Sequence, residues 1–207
     1  MNNKIIGIIG LCITIFFFLG FVSLFIYNPR TLEEVNNVTS ITSFNLRGMH
    51  GRWLAAYFNY LTIGLLNLAF VFGLFKVVKN NLPMVIGKIL ILTAGLIWTS
   101  FGVVSWDPYS DYDVLSMWIR LSSMLIIASV GLIIIGIVFE KIANDNLLKY
   151  YTLVTGLGIL LVGFFGLFVL DGTTLMIRTN ISLTFYFAWF GVFGLKLVHK
   201  ARAQQKL

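Results

Sequence analysis

The chain has 207 residues, of which 58% are hydrophobic and only 11% are charged, and it carries a formal net charge of +7 at pH 7. A soluble domain has roughly 25% charged residues, so this composition is too apolar to cover a surface that faces water. The sequence therefore excludes an ordinary soluble protein and predicts that lipid surrounds most of the chain.

Six charge-free runs divide the chain, and each is close to the length of about 20 residues that one membrane crossing requires. Open strands are excluded because lipid offers the backbone no hydrogen-bonding partner, and the runs lack the alternation of a barrel. The prediction is an all-α polytopic membrane protein, with a single domain over residues 1–207 that forms a bundle of six transmembrane helices. These helices are expected at about 5–27, 53–75, 84–106, 118–139, 150–170 and 179–197, with an outer loop at 28–52.

Basic residues mark one side of the predicted membrane. An excess of Lys and Arg is typical of cytoplasmic segments, so both termini are predicted to lie in the cytoplasm of a cell whose membrane the chain crosses several times. Because topology accounts for the basic charge, no nucleic-acid partner is expected. The residues on this side are Lys4, Lys76, Lys79, Lys141, Lys149, Lys196, Lys200, Arg202 and Lys206.

The first three predicted helices contain a few polar groups. Cys12, the only cysteine, lies within the first helix, so no intrachain disulfide can form. The second helix carries Asn59 in its outer half and Asn67 further in; these amides either hydrogen-bond to neighbouring helices or line a polar cavity. The third helix begins near Pro83, and Lys88 lies slightly inside it, from where its side chain can reach the inner surface.

An acidic stretch, residues 106–120, is predicted to join helices 3 and 4 on the outer side. Its carboxylates, Asp107, Asp111 and Asp113, are of the type that binds Ca²⁺, but their spacing is not that of an EF-hand loop. A solvated loop that enforces topology explains them as well. Arg120 stands where this stretch re-enters the membrane, and it either pairs with an acidic residue or a lipid phosphate or extends to the interface.

Few residues on the outer side could support catalysis or bind a metal. A zinc site usually needs several His or Cys ligands, and His50 alone is available there, so we predict no metal, no other cofactor and no catalytic residue. If the outer side holds a ligand site, its candidates are His50, Asn59, Asp107, Arg120, Asp171 and Arg178.

Two stretches resemble a known family. Residues 39–76, TSITSFNLRGMHGRWLAAYFNYLTIGLLNLAFVFGLFK, look like its first outer loop and second helix, and residues 95–108, GLIWTSFGVVSWDP, resemble its third helix. The family is the six-helix prokaryotic membrane proteins known as domain of unknown function 998. The resemblance covers nearly the whole chain and implies the same topology, without an established activity. Family members often carry a histidine early in helix 4, where this chain has Arg120 or Ser122, so no histidine-dependent activity is implied here.

Three functions fit this sequence. The leading hypothesis is a non-enzymatic integral membrane protein that binds a lipid or a membrane protein partner on its outer side. The second is a small transporter or channel subunit with a path past Asn59, Asn67 and the helix 4 serines, which requires a water-filled cavity at the level of Asn67. The third is a membrane-embedded lipid-modifying enzyme that uses outer carboxylates and His50.

Overall fold

A computed structural model of the protein describes residues 2–27, 52–104, 110–143, 146–166 and 172–204. All secondary structure in these ranges is helical, which confirms the predicted all-α class. A π-helical segment, Leu54–Thr62, continues directly into the second α-helix. The α-helices are α1 (Asn3–Tyr27), α2 (Ile63–Val77), α3 (Leu82–Val103), α4 (Asp111–Ala143), α5 (Asn146–Gly166) and α6 (Gly172–Gln204).

Within the described ranges, five helical segments are long and apolar enough to cross a membrane. They are Asn3–Ser23, Leu54–Val77, Leu82–Val103, Leu115–Phe139 and Arg178–Ala203. A sixth apolar segment, Asn146–Val162 in α5, is shorter. The structure thus agrees with the prediction of a membrane protein built from apolar helices.

Two helices begin earlier than the sequence predicted. Helix α4 starts at Asp111 and α6 at Gly172, each seven or so residues before the apolar run that was used to place it. The second half of the acidic stretch is therefore helical, and its prediction as a loop was wrong. In both helices backbone hydrogen bonding continues beyond the apolar run; in α4 acidic residues also favour the first turn, whereas the first turn of α6 contains none.

The turn between α2 and α3 is fixed by local hydrogen bonds. Helix α2 ends where Val78 adopts an extended backbone, with its N–H still donating to Leu74 O at 3.0 Å. Helix α3 begins with Asn81 as its N-cap, whose Oδ1 accepts from Met84 N at 2.9 Å, and proline follows at the start of the helix. Both features are typical helix-start signals, so the prediction of a helix near Pro83 is confirmed.

The helices pack in a closed cycle. Each α-helix packs on its neighbours in the chain, the π-helical segment packs on α1 and α3, and α6 returns to pack on α1. The contact between α1 and α6 is close enough for backbones to touch, since a methyl group added at Gly7 would lie 2.6 Å from Gly194 O. Small residues permit such close approach between helices in lipid.

Burial follows the pattern expected in lipid rather than in water. Large apolar side chains are exposed on every helix, for example Ile15, Phe72, Leu96 and Leu161. The interior contains aromatic rings in direct contact, including Phe17 and Phe187, whose ring centroids are 4.2 Å apart. It also contains several polar side chains, namely Asn59, Asn67, Ser129, Thr152 and Ser182. An exterior this apolar is suited to contact with acyl chains.

Candidate functional site

Half of the predicted site residues lie in the described part of the chain. Asn59 is fully buried, Arg178 is partly buried on α6, and Arg120 is exposed on α4. His50, Asp107 and Asp171 lie outside the described residues. Asn59 lies in the buried interior, whereas Arg120 borders an open groove. The structure therefore does not bring these two side chains together.

Asn59 lies in the π-helical segment and packs against α1. A methyl group at Gly20 would be 3.4 Å from Asn59 Cγ, and the backbone carbonyl of Asn59 accepts a hydrogen bond from Trp98 Nε1 at 3.1 Å. Within the described residues, however, the side-chain Oδ1 and Nδ2 of Asn59 have no hydrogen-bonding partner. Leaving a buried polar group unpaired costs about 1–3 kcal/mol, so this amide weakens the fold unless something else binds it.

Asn67 illustrates the first of the two predicted roles for these amides. Its Nδ2 donates to Tyr186 Oη at 2.8 Å and joins α2 to α6. Asn67 is fully buried, and a methyl group at Gly95 would lie 2.9 Å from its Cγ, so α3 packs closely on the same amide. The Oδ1 of Asn67 is buried and has no hydrogen-bonding partner among the described residues.

A groove between α3 and α4 contains Arg120. Its volume is about 370 Å³, and its other walls are Leu96, Ile97, Ser100, Ile119 and Ser123. Both serine hydroxyls donate to carbonyls of their own helices, Ser100 Oγ to Ile97 O at 2.6 Å and Ser123 Oγ to Ile119 O at 2.7 Å. The groove therefore combines a guanidinium group with walls that are otherwise apolar or already hydrogen-bonded.

Lys88 does not reach the surface as predicted. Its side chain is only 1% exposed, and its Nζ donates to Leu74 O at 3.0 Å, Val78 O at 2.9 Å and Asn80 Oδ1 at 2.7 Å. The two carbonyls lie at the end of α2, where a cation is favoured by the helix dipole, and Leu74 O accepts from Lys88 in addition to its bond from Val78 N. Lys88 therefore caps the end of α2 from α3, and its ammonium group is satisfied by three acceptors inside the protein.

A second cavity, here called the basic pocket, lies at the same end of the molecule. It has a volume of about 560 Å³ and is bounded by the ends of α2, α4, α5 and α6. Its apolar walls include the buried side chains of Phe139, Leu148, Phe193 and Leu197. Its basic wall residues are Lys79, Lys196, His199 and Lys200. The sequence placed these lysines on one side of the membrane but gave no sign that the helices gather them around one cavity.

The described residues contain no group of three or more His, Cys, Asp and Glu side chains that could hold a metal ion. No family model matches the chain, and comparisons with curated proteins and with solved structures gave no significant match. The resemblance to domain of unknown function 998 therefore stays a prediction.

Proposed function

We propose that this protein is a non-enzymatic integral membrane protein that binds a lipid at its outer side. In this proposal six helices cross a cell membrane, α5 being the sixth, and both termini are cytoplasmic. The cycle of helix contacts supports six crossings. Helix α5 packs against both α4 and α6, in the same way that each of the five longer spans packs against its neighbours. Support for the orientation comes from the lysines gathered at one end.

The position of Arg120 carries the proposal of lipid binding. Arg120 is exposed and borders the groove between α3 and α4, within the apolar segment Leu115–Phe139. A lipid phosphate accepts paired hydrogen bonds from a guanidinium group, so this side chain can recognise a phospholipid headgroup at the groove.

The rest of the groove suits the other part of the same lipid. Leu96 and Ile119 are both more than half exposed, at 52% and 57%, and they form its apolar walls with Ile97. An acyl chain lying between α3 and α4 would cover these side chains while its headgroup remains at Arg120. A phospholipid therefore matches both the charge and the shape of the groove.

Lipid retention tests this proposal. The protein is purified in mild detergent, and phospholipid that stays bound is measured by native mass spectrometry. We expect Arg120→Gln to reduce retention about tenfold, Arg120→Lys to retain part of it, and Leu96→Trp to reduce it by filling the groove. Leu65→Trp is the matched control, because Leu65 is equally exposed, at 53%, but lies on α2 outside the groove.

The outcomes separate the alternatives. Equal lipid retention by wild type, Arg120→Gln and Leu96→Trp would overturn lipid binding in this groove. A co-purifying protein that is lost with the same two variants would instead indicate a membrane protein partner, and would also overturn the lipid assignment.

The orientation is tested separately by cysteine labelling. In a Cys12→Ala background, Ser110→Cys should react with an impermeant maleimide added outside intact cells, whereas Lys79→Cys should react only after permeabilisation. The opposite pattern would invert the proposed topology.

A further inference from the structure

The geometry of the basic pocket points to a second binding site, at the end of the molecule opposite the Arg120 groove: we infer that the pocket binds the phosphate headgroup of an anionic phospholipid. This inference concerns different residues from the proposed function and rests on two of its premises, that the helices lie in a bilayer and that this end is cytoplasmic.

Charge is the first observation. Lys79 comes from the turn after α2, while Lys196 and Lys200 come from α6, four residues and about one helical turn apart. Lys79 and Lys200 are exposed at the pocket. None of the residues that the structure places around this pocket is an aspartate or a glutamate, so its described lining favours an anion.

The apolar walls decide which kind of anion fits. Phe139 and Phe193 form its closed base, with ring centroids 5.7 Å apart, while Val77 and Val78 are half-buried and Ala203 is exposed, so apolar surface of the lining stays accessible. A free phosphate ion would gain nothing from such walls, whereas the glycerol backbone and the first carbons of an acyl chain would bury apolar surface against them. Basic pockets between transmembrane helices on the cytoplasmic side are suited to anionic lipid headgroups for this reason.

The size of the cavity agrees with this ligand. Its volume of about 560 Å³ lies within the range of roughly 300–1,000 Å³ for small-ligand sites. It therefore holds a headgroup and the start of the chains, and it leaves the remaining acyl carbons in the surrounding bilayer.

The competing explanation is that these lysines only set the topology. Topology depends on the number of basic residues on one side of the membrane, whereas binding depends on which of them surround the pocket. Two triple variants that remove the same charge separate these effects. One replaces Lys79, Lys196 and Lys200 with Gln. The other replaces Lys4, Lys76 and Arg202, which are exposed at the same end but do not line the pocket.

The experiment measures binding of phosphatidylglycerol, phosphatidylcholine and inorganic phosphate to each purified full-length protein by native mass spectrometry. We expect phosphatidylglycerol to bind with at least tenfold higher affinity than phosphatidylcholine. The pocket triple variant should lose tenfold to a hundredfold in affinity, and the control triple variant should stay within about twofold of wild type. Unfolding curves of both variants establish that they are folded.

A further variant leaves the charge unchanged. Ala203 is exposed and lines the pocket, so Ala203→Trp should fill the cavity and weaken phosphatidylglycerol binding about tenfold. Equal losses in the two triple variants, or full affinity in both Ala203→Trp and the pocket triple variant, would overturn the site. Inorganic phosphate that displaces phosphatidylglycerol at similar concentration would overturn the lipid assignment. The same titrations in an Arg120→Gln background, which removes the groove site, should keep the difference between the pocket and control variants, so the failure of one site is distinguishable from the failure of the other.

Discussion

Two lysines on either side of one turn show how the same side chain serves different purposes in this protein. Lys88 is buried and its ammonium group has three hydrogen-bond acceptors near the end of α2. Lys79 lies nine residues earlier, is exposed, and borders the basic pocket. The two lysines differ in their surroundings. Lys88 on α3 meets backbone carbonyl groups at the end of α2, whereas Lys79 borders a cavity lined by apolar side chains and other cations.

The two environments share a piece of backbone. Val78 O accepts a hydrogen bond from Lys88, and Val78 is also one of the residues that line the basic pocket. Asn80 adds to the same structure, since its Oδ1 accepts from Lys88 and its Nδ2 donates to Phe75 O at 3.0 Å. The buried lysine thus fixes the turn that forms one wall of the pocket.

The largest effect is expected from removing the buried lysine. Lys88→Met should lower the free energy of unfolding by about 2–4 kcal/mol, because Leu74 O and Val78 O lose hydrogen bonds to a charged donor. Thermal and denaturant unfolding of the protein in detergent would measure this change. The matched control, Lys79→Met, removes the same group from an exposed position and should leave the unfolding midpoint unchanged. Equal destabilisation by both variants would contradict the distinction between the two lysines.

A smaller effect is expected from the exposed lysine, and in a different property. Lys79→Met should weaken phosphatidylglycerol binding about fivefold, since one lysine near a lipid headgroup contributes about 1 kcal/mol. Lys76→Met is the control, because Lys76 is exposed at the end of α2 but does not line the pocket. Lipid titration followed by native mass spectrometry would compare the two, and a similar loss in both would show that position at the pocket is irrelevant.

The two buried amides extend the comparison to uncharged groups and give the smallest expected effects. Asn67→Leu should destabilise the protein by about 1 kcal/mol, because Tyr186 loses its hydrogen bond with Asn67. Asn59→Leu should leave stability unchanged or raise it, because the Asn59 side chain has no partner among the described residues.

Unfolding measurements on both variants, and on Tyr186→Phe combined with Asn67→Leu in a double-mutant cycle, would test this pair. A strong loss of stability in Asn59→Leu would indicate that the buried amide of Asn59 binds a group such as an ordered water.

Helix existence could be predicted from the sequence, but helix ends could be predicted only where a local signal marks them, as Pro83 does at the start of α3. The uncharged runs locate the apolar helices because a span needs a minimum apolar length. The start of α4 at Asp111 could not be found in this way, since backbone hydrogen bonding is indifferent to the polarity of the first turn. The π-helical segment Leu54–Thr62 has no signal in its sequence, because apolar and polar residues occur there as they do in an α-helix.

The candidate site was predictable only in part. Arg120 was identified because it is charged next to an apolar run, and the structure gives it a groove with Leu96 and Ile97. The role of Lys88 was wrong, because its acceptors belong to a different helix. The pairing of Asn67 with Tyr186, residues 119 positions apart, likewise depends on which helices meet.

The sequence by itself determined that this protein consists of apolar helices and that its basic residues are concentrated in particular connecting segments and termini. These are properties of local composition, and length and charge are sufficient to establish them. Tertiary structure alone decided that Lys79, Lys196 and Lys200 surround one cavity. It also decided that the Lys88 ammonium group donates its hydrogen bonds to the end of α2. The physical reason is that the first outcome depends on where α6 packs and the second on the packing of α3 against α2, and an apolar helix surface does not specify its neighbour.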